Sequence, residues 1–283
     1  MLIALSLFFY MIQNAANKRF AFICPSTPFY NVMCIFFAFA GLAVTGFLKA
    51  VPTGVFLLSA AYGLVYFISI YLLVYAMKKG PLSLTTLVFN LGNTIACLYG
   101  IIAYKEPLTG FTVLGICCMT AVIFLCMPKA EKGEKSKKGW FIPSLAGAVG
   151  NGILGCIKKS MTASFPNIGS GEFLAWAFIF GAFIGGIYCA VIYFKTPSAL
   201  PKISLRGAMC AVLSGAGTAG GNLFFMKALQ SGLSSAIAFP LHTGLLTLLL
   251  WIMSLLLFRD VKFRLRYVAA ILSCIAGMIL IRM

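Results

Sequence analysis

Apolar residues fill this chain in runs about 20 residues long, the length that crosses the hydrocarbon of a bilayer, separated by Pro, Gly and charged clusters. That punctuation predicts ten helices near 2–22, 28–48, 54–77, 82–104, 109–127, 140–161, 172–194, 205–228, 233–258 and 265–282. The first is unusual. Residues 1–10 are almost wholly apolar, yet MIQNAANKRF, Met11 to Phe20, brings Gln13, Asn14, Asn17 and Lys18 before a bilayer has been crossed. At about 100° per residue these four side chains fall within an arc of roughly 140° and form one polar stripe. No basic n-region and no small-residue cleavage site is present, so the segment reads as a retained helix and not a signal peptide.

Composition turns this pattern into a class. Hydrophobic residues make up 61% of the chain, charged residues 10%, and the mean hydropathy is +1.02. A soluble domain has about 45–50% apolar and about 25% charged residues. The expectation is therefore an all-α integral membrane protein whose surroundings are the lipid bilayer, with no room for a separate soluble domain. The net charge of +17 would suggest nucleic acid for a soluble protein. Here the basic residues sit mostly at helix ends and in connections, where they anchor segments and set topology, so no nucleic-acid partner is expected.

The ten cysteines include no CxxC pair, and only Cys117 and Cys118 are adjacent. They read as small core residues, not as a disulfide framework or metal site. HExxH, GxSxG and paired intramembrane aspartates are missing, which argues against an enzyme and against a cofactor. Gly215 to Gly220 matches GxGxxG. It lies inside an apolar run and lacks the preceding strand a dinucleotide site needs. It reads as a small-residue face for close helix approach, as do Gly181 and Gly185 in helix seven and Gly147, Gly150 and Gly155 in helix six.

One strongly polar linker, PKAEKGEKSKKG, lies near the middle and divides the chain into 1–128, a charged linker 129–139, and 140–283. The halves correspond. Leu82-Ser83 matches Leu233-Ser234, Tyr104-Lys105-Glu106 matches Phe258-Arg259-Asp260, and Asn17-Lys18-Arg19 matches Ile157-Lys158-Lys159. Five helices per half is an odd number, so the second copy begins on the opposite side of the membrane. The expectation is ten transmembrane helices as two inverted five-helix repeats, an arrangement that in transporters holds substrate at the repeat interface near the midplane.

Polar residues inside spans mark functional sites and face the bundle interior. The candidates for a substrate-binding cavity are Gln13, Asn14 and Asn17 in helix one, Tyr62 and Tyr66 in helix three, Asn90 and Asn93 in helix four, and Asn151 in helix six. Helix eight adds Asn222 and Lys227, and helix nine adds His242, just after Pro240. Lys227, with further apolar residues after it, is the expected cavity lysine. Lys18, Lys158 and Lys159 are expected to snorkel to the interface. Glu106 and Asp260 read as caps or ion pairs at helix ends. Glu172 opens helix seven, where it favours the macrodipole, and is a possible coupling carboxylate. No carboxylate lies mid-span, so the substrate is expected to be neutral, zwitterionic or anionic.

The run AMKKGPLSLTTLVFNLGNTIACLYGIIAYKEPLTGFTVLG, Ala76 to Gly115, resembles the helix 3–4–5 segment of EamA-type transporters in the drug/metabolite transporter superfamily. MKALQSGLSSAIAF with LLFRDVKFRLRYVAA resembles it less closely: the Glu-Pro-Leu-Thr beginning at Glu106 is replaced by Asp260-Val261-Lys262-Phe263. The resemblance implies a ten-helix plasma-membrane transporter, monomeric or homodimeric, that moves a small-molecule metabolite by alternating access, export favoured, with both termini cytoplasmic. The alternatives are a flippase for a lipid-linked substrate and a non-transporting membrane partner or sensor. The charges point the other way on sidedness. Sixteen of the 22 Lys and Arg fall on the side opposite the termini and six on theirs, which by the positive-inside rule places the termini outside.

Overall fold

The computed structural model describes residues 1–23, 26–106, 109–126, 138–195, 204–259 and 265–282. Among these, regular structure is helical and no strand occurs. The helices are α1 (Leu2–Ile23), α2 (Thr27–Val44), α3 (Thr53–Lys79), α4 (Leu82–Asn90), α5 (Asn93–Tyr104) and α6 (Gly110–Cys126). After a short 3₁₀ turn at Lys138–Trp140 come α7 (Phe141–Ser164), α8 (Ser170–Lys195), α9 (Leu205–Gln230), α10 (Ser235–Met253) with a π turn at Ser254–Phe258, and α11 (Arg266–Arg282).

Local chemistry sets several of these limits. Ser204 and Ser234 cap α9 and α10, their side chains accepting from the backbone N–H of Gly207 and Ile237. Pro28 occupies the first turn of α2, where its missing N–H is no loss.

Among the described residues, seven segments are long and apolar enough to cross a membrane: α2, α3, Thr85–Tyr104, α7, α8, α9 and Ser235–Phe258. The protein is all-α and multi-pass. α1 has 22 residues but carries the polar stripe, while α6 and α11 have 17 each. On α3 one face is buried through Ser59, Tyr62 and Tyr66, and the opposite face exposes Leu57, Leu64 and Ile68. Exposed aliphatic faces of this kind suit lipid, not water.

The expected single helix over 82–104 is broken at Leu91–Gly92. There the chain tightens into i→i−3 bonds, Gly92 N–H to Phe89 O at 3.2 Å and Ile95 N–H to Gly92 O at 2.9 Å. The backbone here lies close against α7: a Cβ at position 92 would lie 1.9 Å from the Ala148 carbonyl oxygen, so only glycine fits. The loosened Phe89 carbonyl is taken up by Asn151 Nδ2 at 3.3 Å. α10 runs unbroken through Pro240 but lacks one ladder bond there. Proline cannot donate to the Ala236 carbonyl, and the Cys97 thiol donates to it instead, at 3.8 Å.

The halves interlock. α1 packs on α9 and α3 on α7; α2 packs on α9 and α3 on α8; α6 packs on α11, and α2 on α8. The core therefore lies between the halves, around Tyr30, Tyr62, Phe20, Phe173 and Phe178, all essentially inaccessible. Two non-glycine residues among those described have left-handed backbone, Lys105 (φ 50°) after α5 and Arg259 (φ 52°) after the π turn. They occupy matching positions in the sequence correspondence.

A polar cavity between the halves

The break between α4 and α5 and the proline of α10 flank a cavity of about 640 Å³, its open mouth included. Nine of the expected residues line it: Gln13 and Asn14 from α1, Tyr62 and Tyr66 from α3, Asn90 at the end of α4, Asn93 opening α5, Asn151 from α7, Asn222 from α9 and His242 from α10. Each half thus contributes a share of the wall.

Hydrogen bonds tie the wall together across the halves. Asn222 Oδ1 accepts from the hydroxyls of Tyr10 and Tyr62, both at 2.9 Å, while its Nδ2 donates to Thr218 O. Gln13 Nε2 donates to the Tyr66 hydroxyl at 3.1 Å, and that hydroxyl donates to Thr218 Oγ1 at 3.2 Å. Tyr62 and Tyr66 are stacked, with ring centroids 5.8 Å apart. On the opposite wall Asn151 Nδ2 donates to Asn93 Oδ1 at 3.0 Å, and Asn93 Nδ2 donates to Thr243 Oγ1 at 2.8 Å. Asn14 Nδ2 folds back to Tyr10 O. The Asn90 amide has no hydrogen-bond partner among the described residues and faces the cavity.

His242 is held from behind. Ser6 Oγ donates to Gly221 O at 2.8 Å, so its lone pair accepts the Nε2 hydrogen of His242 at 3.3 Å. The imidazole packs edge-on against Tyr10 and Phe225.

Three expectations are corrected. Asn17 is buried outside the cavity, where its Oδ1 accepts from Tyr30 and Ser214. Lys227 is exposed, its ammonium 5.9 Å from the Phe47 ring. It stands five residues after Asn222, which turns it roughly 140° away around the helix. Glu172 lies in the first turn of α8, away from the cavity, and pairs with Lys49 at 3.4 Å.

The lysines expected to snorkel do not. Lys18, 4% exposed, caps α3 by donating to Gly80 O at 3.0 Å and Met77 O at 3.3 Å. Lys159 pairs with Glu106. Lys158, 7% exposed, lines the cavity. Its seven-residue spacing from Asn151 puts both on one face of α7, the signal that marks it in the sequence. Tyr10 and Thr86 also line the cavity; Tyr10 precedes Gln13 by three residues and extends the same stripe.

Glu106 works at the bundle's end. It accepts from the backbone N–H of Ser235 (3.0 Å) and Ala236 (2.8 Å) and from Ser235 Oγ (2.8 Å), so it caps α10 from the other half. Burial pushes its carboxyl up, but the Lys159 ammonium and these three donors more than compensate and hold it below the ordinary carboxylate range. Asp260 lies outside the described residues.

The described lining contains amides, hydroxyls, aromatic rings, one imidazole and one ammonium, with no carboxylate or thiol. No group of three or more His, Cys, Asp or Glu that could hold a metal occurs among the described residues. The chemistry on offer is recognition by hydrogen bonds and stacking.

No protein-family model and no curated protein matches the chain. A protein of known crystal structure, 14% identical, superposes with a TM-score of 0.73 over 99% of this chain and 94% of its own. At that identity the likeness concerns the fold alone.

Proposed function

We propose that the chain is a secondary active or facilitative transporter of a small polar or amphipathic metabolite, working by alternating access with export favoured. It crosses the plasma membrane ten times, as two inverted five-helix repeats of the EamA type. The observation that carries this is the cavity: polar side chains from both halves converge on it beside the break between α4 and α5 and the proline of α10, as in transporters whose substrate sits at a repeat interface.

Three further features support the repeats. Exchanging the halves turns the α1–α9 contact into α7–α3 and the α2–α9 contact into α8–α3, and all four exist. The left-handed residues Lys105 and Arg259 correspond. The Leu91–Gly92 break and Pro240 fall in corresponding segments.

A thermal-stability screen of the purified protein against water-soluble metabolites tests the reading. A metabolite should stabilise the wild type, and Asn93→Ala, Asn151→Ala and Asn222→Ala should each weaken that effect. Unchanged stabilisation in all three variants would contradict the cavity assignment.

One observation favours a flippase for a lipid-linked substrate as the second reading. A cavity of about 350 Å³ shares Asn90, Asn93 and Phe239 with the first and continues to Ile116 and Thr120 of α6. Stabilisation by lipid-linked compounds alone would select it.

A further inference from the structure

The Lys158 ammonium has no ion-pair or hydrogen-bond partner among the described residues, although the residue is only 7% exposed. What surrounds it is aromatic: the Phe225 ring at 5.4 Å and the Tyr62 ring at 5.9 Å. A cation over ring faces gains about 0.5–2 kcal/mol, whereas taking an ammonium out of water costs several kcal/mol. The three donors of the ammonium therefore still call for an oxygen acceptor. The other lysines near the bundle interior are engaged, Lys18 by two carbonyls and Lys159 by Glu106. Among the described residues, Lys158 alone is aimed into the cavity without an acceptor.

The rest of the wall decides what that acceptor can be. No described carboxylate lines the cavity, so nothing there offers a counter-charge to an ammonium on the substrate. Only one lysine lines it among the described residues, so a dianion would leave the occupied cavity with a net negative charge at low dielectric. A single negative charge balances it. The neighbours extend the match. Asn151 lies seven residues before Lys158, about 10 Å along α7, beside Asn93 and the unpartnered Asn90. Tyr62, Tyr66 and Phe225 supply flat apolar walls between.

We propose that the cavity selects a monoanionic organic acid, its carboxylate on Lys158 and its hydroxyl, keto or amide groups toward Asn90, Asn93 and Asn151. This rests on the transporter reading and adds the substrate's charge class to it.

The test is a thermal-shift and binding series on the full-length protein in nanodiscs. The probes are hydroxy, keto and aryl monocarboxylates, each paired with its carboxamide and with the corresponding amine, together with phosphate monoesters. At least one monocarboxylate should stabilise the wild type, and its carboxamide should bind about tenfold or more weakly, as expected for the loss of a charge-assisted contact. Lys158→Met and Lys158→Gln should lose that preference and bind acid and amide alike. Both variants should melt no lower than the wild type, because they remove an unpaired buried charge, so lost preference cannot be put down to misfolding.

Equal acid binding by Lys158→Met, hits confined to amides, amines or phosphate monoesters, or no hit among the monocarboxylates would each overturn the proposal. Transport of a neutral or cationic compound would sink the acid assignment and leave the transporter standing. An acid that binds through Lys158 but never crosses a reconstituted membrane would do the reverse.

Discussion

Lys105 and Arg259, 154 positions apart, share the same left-handed backbone, φ 50° and ψ 41° in one, φ 52° and ψ 31° in the other. Each ends a membrane helix, in a conformation that costs a side-chain-bearing residue about 1–2 kcal/mol. Glycine adopts it freely and β-branched residues resist it most. Lys105→Gly and Arg259→Gly should therefore leave the melting temperature unchanged or raised, and Lys105→Val and Arg259→Val should lower it. Thermal unfolding of the four variants in one detergent checks this.

Glu106 joins the halves at one end of the bundle, so its loss should be felt as stability. Glu106→Gln keeps the shape but leaves Lys159 without its counter-ion and weakens the cap on α10. Truncating a buried charged partner costs about 1–3 kcal/mol. The native carboxyl is held below its unfolded value, so its contribution is complete above the ordinary carboxylate range and fades as the pH falls through the lower folded value. The gap between wild type and Glu106→Gln in a denaturation series should hold at neutral pH and close on strong acidification.

Small residues set how closely the halves meet. A Cβ on Gly217 would lie 2.6 Å from Phe9 O and 2.7 Å from Gln13 N. Gly217→Ala must push α1 from α9, at about 1–3 kcal/mol for an overpacked contact. Gly186 on α8 has nothing within 4 Å of its Cβ position, and Gly186→Ala should not destabilise. Comparing the two melting temperatures separates packing from helix propensity.

Sidedness follows from charge. On the ten-span reading, setting aside the buried Lys18 and Lys158 leaves fifteen basic residues opposite the termini and five on their side. The charge bias persists without them and predicts that the linker is cytoplasmic. A cysteine at Ser136, in an otherwise cysteine-free background, should resist impermeant maleimide in intact cells. Labelling would instead place the termini inside, as the family resemblance implies.

Much of the fold is readable from period and punctuation, because a span must be apolar for about 20 residues and Pro, Gly and charge mark where it stops. Expected and observed helices differ by a few residues except at Leu91–Gly92. Gly92 lies against α7 at that break, and a lone glycine between Asn90 and Asn93 is too weak a mark to separate a break from a close helix contact. Nine cavity residues are readable, six of them amides, because polar side chains inside lipid are rare without a purpose. The assignments that fail depend on rotation about a helix axis. Asn17 belongs to the stripe of α1 but meets Tyr30 and Ser214. Lys227 has the depth but the wrong direction, while Lys158 has both.

The most direct test of the central claim is counterflow in proteoliposomes. Vesicles containing the protein and loaded with an unlabelled stabilising compound are diluted into the same compound carrying a radiolabel. Alternating access through the cavity predicts transient accumulation of label, abolished or strongly slowed by Asn222→Ala, which leaves the Tyr10 and Tyr62 hydroxyls without their acceptor. A compound that binds the cavity yet shows no flux above protein-free vesicles would contradict it.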